Sequence, residues 1–205
     1  MWPLFLMLGC QEYALHEPPP VVPAQPPGPT EQGFGDAPNW ADCDGGWLGR
    51  YSNLAVDHPD VEPGLGAEAP TDPNALDWWD DVAFEQFEAS LDYGRNWWPV
   101  DEGLEEDPSY FAAWWVAWLR VTDDTQLTFV LGSSDDAWVF LDNTELVSLP
   151  GIHSYNEVTP TIDIDSGQYP IIVRYAHRAG DNGFRFRILS GDVSLCYPAF
   201  NNDEP

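Results

Sequence analysis

From residue 110 onward the apolar positions of this chain fall on every second residue. Phe111, Ala113, Trp115, Ala117 and Leu119 alternate with Ala112, Trp114, Val116 and Trp118, and Leu127, Phe129 and Leu131 carry the period into a second segment. A period of two is the mark of a β-strand, whose successive side chains point to opposite faces. The first segment is apolar on both faces, which predicts a central strand covered on two sides, its Trp side chains in the core. Residues 137–149 predict a hairpin turning at Asp142-Asn143, residue types that tolerate a left-handed backbone. Asp165-Ser-Gly167 predicts the turn between strands at 161–164 and 169–176, and Phe184, Phe186 and Ile188 point inward with Arg185 and Arg187 outward. Upstream, Gly46-Trp-Leu-Gly-Arg-Tyr51-Ser-Asn53 predicts the first strand. Residues 76–90 are ambiguous: Leu76, Trp79, Ala83 and Phe87 have helical spacing while Phe87 to Tyr93 alternates, and the expectation is a short helix. Short strands separated by turn residues predict an all-β fold, an antiparallel sandwich or barrel.

Composition sets the boundaries of that fold. Residues 11 to about 40 hold Pro18-Pro-Pro20, Pro23, Pro26-Pro27 and Pro29 with few large apolar side chains, so they predict an extended spacer rather than a core. Ahead of it, Met1-Trp-Pro-Leu-Phe-Leu-Met-Leu-Gly9-Cys10 is a short apolar run ending in a small residue and a cysteine. It reads as a lipoprotein-type signal over residues 1–9 with Cys10 as the lipidated residue of a linker spanning 10–40. The run lacks Lys and Arg, so an ordinary secretory signal or a mis-assigned start stays open. The folded domain is expected over 43–198, with a tail at 199–205. No other segment reaches the roughly 20 apolar residues of a membrane span, so an anchored or free exported protein is expected. With Cys10 lipidated, Cys43 and Cys196 remain as a pair flanking the domain. They predict a disulfide in an oxidising compartment, two buried thiols being the alternative.

The 205 residues include 35 acidic and only seven basic side chains, all Arg, for a formal charge of −28. Such a field repels nucleic acid and anionic lipid. It suits divalent cations, or else it is simply a soluble, self-repelling surface. Among these acids Asp135 and Asp136 stand out, two neighbours at the mouth of the predicted hairpin. In a regular strand their carboxylates would diverge, so reaching one ion needs a bulge or a cis peptide. Calcium, which takes several hard oxygen ligands in flexible geometry, is the ion such a pair would hold. A solvated Ser-Ser-Asp-Asp turn is the other reading.

Several stretches, in order over roughly residues 44–190, resemble the protective-antigen (PA-fourteen) domain, and within it the bacterial fibro-slime domain. Gly46-Trp-Leu-Gly-Arg-Tyr51 is similar to the family's opening strand, and Phe111-Ala-Ala-Trp-Trp115-Val-Ala-Trp-Leu119 to its Phe-x-x-x-Trp-x-Gly-Tyr-Leu segment, with Ala117 in place of Gly. Ser134-Asp135-Asp136-Ala-Trp-Val-Phe-Leu-Asp142, followed by Leu149-Pro-Gly151-Ile-His153, resembles the fibro-slime hallmark. Ala176-His-Arg178 and Phe184-Arg-Phe-Arg-Ile188 resemble the closing elements, with His177 in place of Glu. The resemblance implies a jelly-roll-like antiparallel β-sandwich in which an Asp-Asp pair joined by a cis peptide binds Ca2+ in the sugar-binding adhesin members. Asp135 and Asp136 occupy those positions, and in the later loop 178–183 Asn182 is the third side-chain ligand implied, with Asp181 second in line. Open positions on the ion could take vicinal hydroxyls of a glycan while an aromatic ring stacks on the sugar. Trp97 and Trp98, in a Pro/Gly-flanked loop, are the candidates for that platform, core packing being the alternative. For His153 a turn hydrogen bond or packing is expected, and His16 and His58 carry no signal.

Catalysis is not expected. No Gly-x-Ser-x-Gly, His-Glu-x-x-His or phosphate loop is present, and adjacent carboxylates lack the separation of a two-carboxylate hydrolase. The sequence therefore predicts an exported, lipid-anchored module at the cell surface that binds a glycan or cell-surface polysaccharide through calcium. The alternative is a structural surface or matrix-assembly module whose loops calcium stabilises.

Overall fold

The computed structural model describes residues 37–43, 45–55, 57–61, 73–80, 82–97 and 110–197. The signal segment, Cys10, most of the Pro-rich linker, Trp98 and the tail lie outside these residues. Among the described residues, twelve strands form two antiparallel sheets. They are β1 (Trp47–Leu54), β2 (Val82–Glu88), β3 (Leu91–Arg95), β4 (Tyr110–Val121), β5 (Thr125–Ser134), β6 (Asp136–Leu141), β7 (Thr144–Leu149), β8 (Asn156–Val158), β9 (Thr161–Ile164), β10 (Gly167–His177), β11 (Gly183–Ser190) and β12 (Val193–Cys196). The larger sheet runs β2-β1-β4-β10-β6-β7, with β12 also paired to β4. The smaller runs β3-β11-β5-β8, with β9 also paired to β5. This is the antiparallel sandwich that the alternating pattern predicts.

The double apolar face of β4 has a simple cause. Phe111, Ala113, Trp115, Ala117 and Leu119 point between the sheets into the main core. Ala112, Trp114 and Val116 point the other way, into a second apolar layer with Trp78, Trp79, Trp138 and Phe140. That layer is closed by Val61, in the segment 57–61, and by two short 3-10 turns, Pro73–Ala75 and Asp77–Trp79. Arg174 is buried within it, its guanidinium 5.3 Å from the rings of both Trp79 and Trp114 and its Nη1 donating to the Pro73 carbonyl at 3.0 Å. Between the sheets, Trp115 of β4 stacks on Phe184 of β11 at 4.7 Å. Such a pair adds about 0.5–1.5 kcal/mol beyond the area it buries. Gly49 of β1 makes room for it, since a Cβ there would stand 2.9 Å from the Trp115 ring.

The helix expected over 76–90 does not form. Trp79 belongs to the outer layer, Ala83 packs on the main core, and Phe87 is 49% exposed, so the helically spaced residues share no common face. The strand-like alternation prevails instead. β2 pairs with β1 in the larger sheet and β3 with β11 in the smaller, so the short link after Glu88 carries the chain from one sheet to the other. The hairpin at Asp142-Asn143 forms as expected, with φ of 47° and 60°.

The sandwich has two distinct ends. At one, Asp136 pairs with Ala176 and His177 with Phe111. Toward the other, Cys196 of β12 pairs with Trp118 and is joined to Cys43 by a disulfide, the bridge expected from the sequence. Trp118 lies seven residues along β4 from Phe111, a distance of about 23 Å at strand rise.

A buried aspartate pair at the loop end of the sandwich

At the end of β5 the chain passes through a cis peptide between Ser134 and Asp135 and enters β6 at Asp136. The cis bond thus lies one residue before the position implied by the resemblance, ahead of the aspartate pair rather than within it. Both carboxylates are nonetheless held between the same two segments, the turn after β7 and the loop after β10. Asp135 Oδ1 accepts from the His153 amide at 3.3 Å, and Oδ2 from the amides of Arg178 at 2.8 Å and Ala179 at 2.9 Å. Asp136 Oδ1 accepts from the Gly151 amide, and Oδ2 from Arg178 Nε at 2.7 Å. Asp135 is 1% exposed and Asp136 fully buried. The solvated-turn reading is therefore overturned. Burial pushes the Asp136 carboxyl above its usual range, against the pull of the Arg178 guanidinium and the Gly151 amide.

The surrounding loops are fastened to the same place. Ser134 Oγ lies 2.7 Å from the Asp181 carbonyl and 3.0 Å from that of His153, so one hydroxyl serves both loops. Tyr175 Oη donates to the Ser134 carbonyl at 2.7 Å and accepts from the Gly183 amide. The His153 ring is held at the turn by the carbonyls of Ser154 and Leu149, as a turn hydrogen-bonding role predicts.

The other candidates divide. Asn182 is buried in the loop 178–183, its Nδ2 donating to the Trp97 carbonyl at 2.6 Å, while its Oδ1 finds no partner among the described residues. Asp181 presents its main-chain carbonyl to Ser134 and leaves its side chain exposed. Trp97 is not a platform. It is buried, stacked on Tyr93 at 4.0 Å and set edge-on to Phe111, and its carbonyl accepts the hydrogen bond from Asn182 Nδ2.

Arg178 is the buried partner of the pair that the sequence pattern does not single out. Its guanidinium sits 4.9 Å above the Trp78 ring, and its Nη1 donates to the Asp60 carbonyl at 2.8 Å. The only advance signal was chemical: in a chain with seven cations, a buried carboxylate pair needs one of them.

These donors bear on whether calcium fits. A calcium ion takes six to eight oxygen ligands. Apart from the buried His177 ring, whose Nδ1 lies 3.7 Å from Asp135 Oδ2, the groups pressed against Asp135 and Asp136 are N–H donors, whose positive ends repel a cation, and the pair offers no oxygen to solvent. Among the described residues no group of three or more His, Cys, Asp or Glu side chains is placed to hold a metal. As folded, the site does not fit calcium. A cleft toward the opposite end, lined by Gly45, Gly46, Ile188, Leu189, Ser190, Gly191, Val193 and Leu195, has no charged side chain to orient a polar ligand.

No protein-family profile matches the sequence, and no curated protein matches it. Among solved structures, the chain is similar to the PA14 sugar-binding domain from an RTX adhesin. That match has a TM-score of 0.56 at 12% identity and covers 75% of this chain and 98% of that domain. It is similar also to the PA14 domain of the MpAFP antifreeze protein, with a TM-score of 0.52 at 15% identity over 75% of this chain and 92% of that one. A GH31 alpha-xylosidase from Xanthomonas citri matches with a TM-score of 0.47 at 13% identity over 74% of this chain, which spans 15% of the enzyme's length. The described β-sandwich thus has a PA14-like fold.

Proposed function

We propose that this chain is a carbohydrate-binding, adhesin-like module of an exported protein displayed at the cell surface. The observation that carries the reading is the fold shared with a sugar-binding adhesin domain along nearly that domain's whole length. The loops after β5, β7 and β10 form the binding end, where Asp181, Ser154 and Asn156 present polar side chains to solvent. Residues 1–9 are the signal, Cys10 the lipid attachment point, 10–40 the spacer and 43–198 the binding domain, of fibro-slime type. No helix among the described residues is long and apolar enough to cross a membrane. The module is not an enzyme in this reading, because its carboxylate pair is closed to substrate.

A calcium-bridged version of the same function requires Arg178 to leave Asp136 and the loops to open, so that Asn182 Oδ1 and glycan hydroxyls could complete the shell. The enclosure of both carboxylates favours a second reading, a structural module of a surface or matrix assembly. Titration of the purified protein against a glycan array, with calcium and with EDTA, separates these. Saccharide binding that survives EDTA supports the metal-free module, binding lost in EDTA supports the calcium bridge, and no saccharide signal in either buffer supports the structural module.

A further inference from the structure

We infer that Arg178 is the resident cation of the loop end: its guanidinium, rather than a metal ion, neutralises the buried Asp135–Asp136 pair and locks the three loops together. The inference concerns how the loops are held and goes beyond what they bind.

Three observations converge on it. Arg178 is itself 2% exposed, so its charge has no water to fall back on and depends on the Asp136 carboxylate 2.7 Å away. The remaining charge, on Asp135, is met by the amides of Arg178, Ala179 and His153, with the His177 ring 3.7 Å away at Nδ1. One residue thus serves both carboxylates, with its side chain on one and its backbone on the other. The guanidinium also reaches groups beyond the carboxylates that a spherical ion would not, while its Nη2 is buried with no partner among the described residues. Its Cζ lies 4.9 Å from the centre of the Trp78 ring, and Nη1 reaches the Asp60 carbonyl, while Asp60 Oδ2 accepts from Trp78 Nε1 at 2.9 Å. The segment that closes the outer apolar layer is thereby tied to the loop end through the same side chain. Asn182 keeps its amide nitrogen on the Trp97 carbonyl and leaves Oδ1 as a buried acceptor with no partner among the described residues, an oxygen near the loop end still open to a cation.

The test is the thermal midpoint of the full chain, first in EDTA and then in millimolar calcium. The expected result is an unchanged midpoint in both. A site binding calcium at a hundredfold excess over its Kd would raise the midpoint of a chain this size by roughly 5–11 °C. A rise of that size, or a comparable fall in EDTA reversed by calcium, overturns the inference. Arg178→Met is then expected to lower the midpoint by roughly 6–20 °C, as breaking one side of a buried pair does. Adding Asp136→Asn to it should recover part of the loss. Wild-type stability in Arg178→Met, or a double variant whose loss is the sum of the two single losses, also overturns the inference. Should Arg178→Met fail to fold, folding regained in the double variant upholds the inference, and a double variant that also fails to fold overturns it.

Discussion

Reducing the Cys43–Cys196 bridge should be the largest single loss of stability available without touching the core. The bridge spans 153 residues, nearly the whole described fold. In the chain-entropy account, a loop of that length removes about 17 cal/mol/K from the unfolded ensemble, close to 5 kcal/mol at room temperature. For a chain of this size that corresponds to a fall in Tm of roughly 10–20 °C. Scanning calorimetry of the oxidised protein, of the protein pre-incubated with dithiothreitol, and of Cys43→Ser/Cys196→Ser measures it. The double variant should match the reduced protein and ignore reductant. Guanidinium unfolding supplies an independent check. If the bridge acts on the unfolded state, the reduced chain unfolds to a more expanded ensemble and its m-value rises; if it acts through native contacts of β12, m stays constant while the midpoint moves. A drop in Tm below about 2 °C would refute the entropic reasoning.

Other outcomes follow from particular contacts. Gly49→Ala forces a methyl group against the fully buried rings of Trp115 and Tyr51 and should cost about 1–3 kcal/mol by denaturant titration, whereas wild-type stability would mean that the rings yield freely. Trp97→Ala should cost about 3–5 kcal/mol and Asp181→Ala less than about 0.5 kcal/mol, the reverse order being expected if Trp97 were a surface platform and Asp181 a ligand. Burial raises the phenol pKa of Tyr51, Tyr93, Tyr155 and Tyr175 above its ordinary value near 10. Their contribution to stability is whole below that value and is lost as pH climbs past it, since the unfolded chain then sheds protons that the folded chain keeps. Ultraviolet titration should show these four ionising only as circular dichroism reports unfolding, and phenolate formation at all four near pH 10 in a folded protein would contradict it.

The parts of the fold that could be read from sequence are those where a local period and the tertiary environment agree. The two apolar faces of β4, the alternation of β5 and the hairpin at Asp142-Asn143 are all local facts, and the cysteine pair needed only counting. Residues 76–90 misled because the helical spacing of Leu76, Trp79, Ala83 and Phe87 is accidental: the outer layer, the main core and solvent each claim some of them. Trp97 misled for a related reason, since its Pro/Gly-flanked loop predicts exposure while Tyr93 and Asn182 supply burial from elsewhere in the chain. At the loop end, the sequence located Asp135, Asp136 and the loop that faces them. It did not supply their counter-charge, because Arg178 lies 42 residues from Asp136 and no periodicity links two side chains at that separation.

The placement of the disulfide and the loops at opposite ends of β4 has a mechanical consequence. In the proposed reading, a pull between a ligand held at the loops and an anchor upstream of Cys43 runs along the strands of the larger sheet. Load in that direction shears the β1–β4 and β4–β10 ladders, engaging many hydrogen bonds at once, where a pull across the strands would unzip them one by one. The bridge to Cys196 passes part of that force directly into β12 and so onto β4. In that reading the bridge and the ladders together carry tension from one end of β4 to the other.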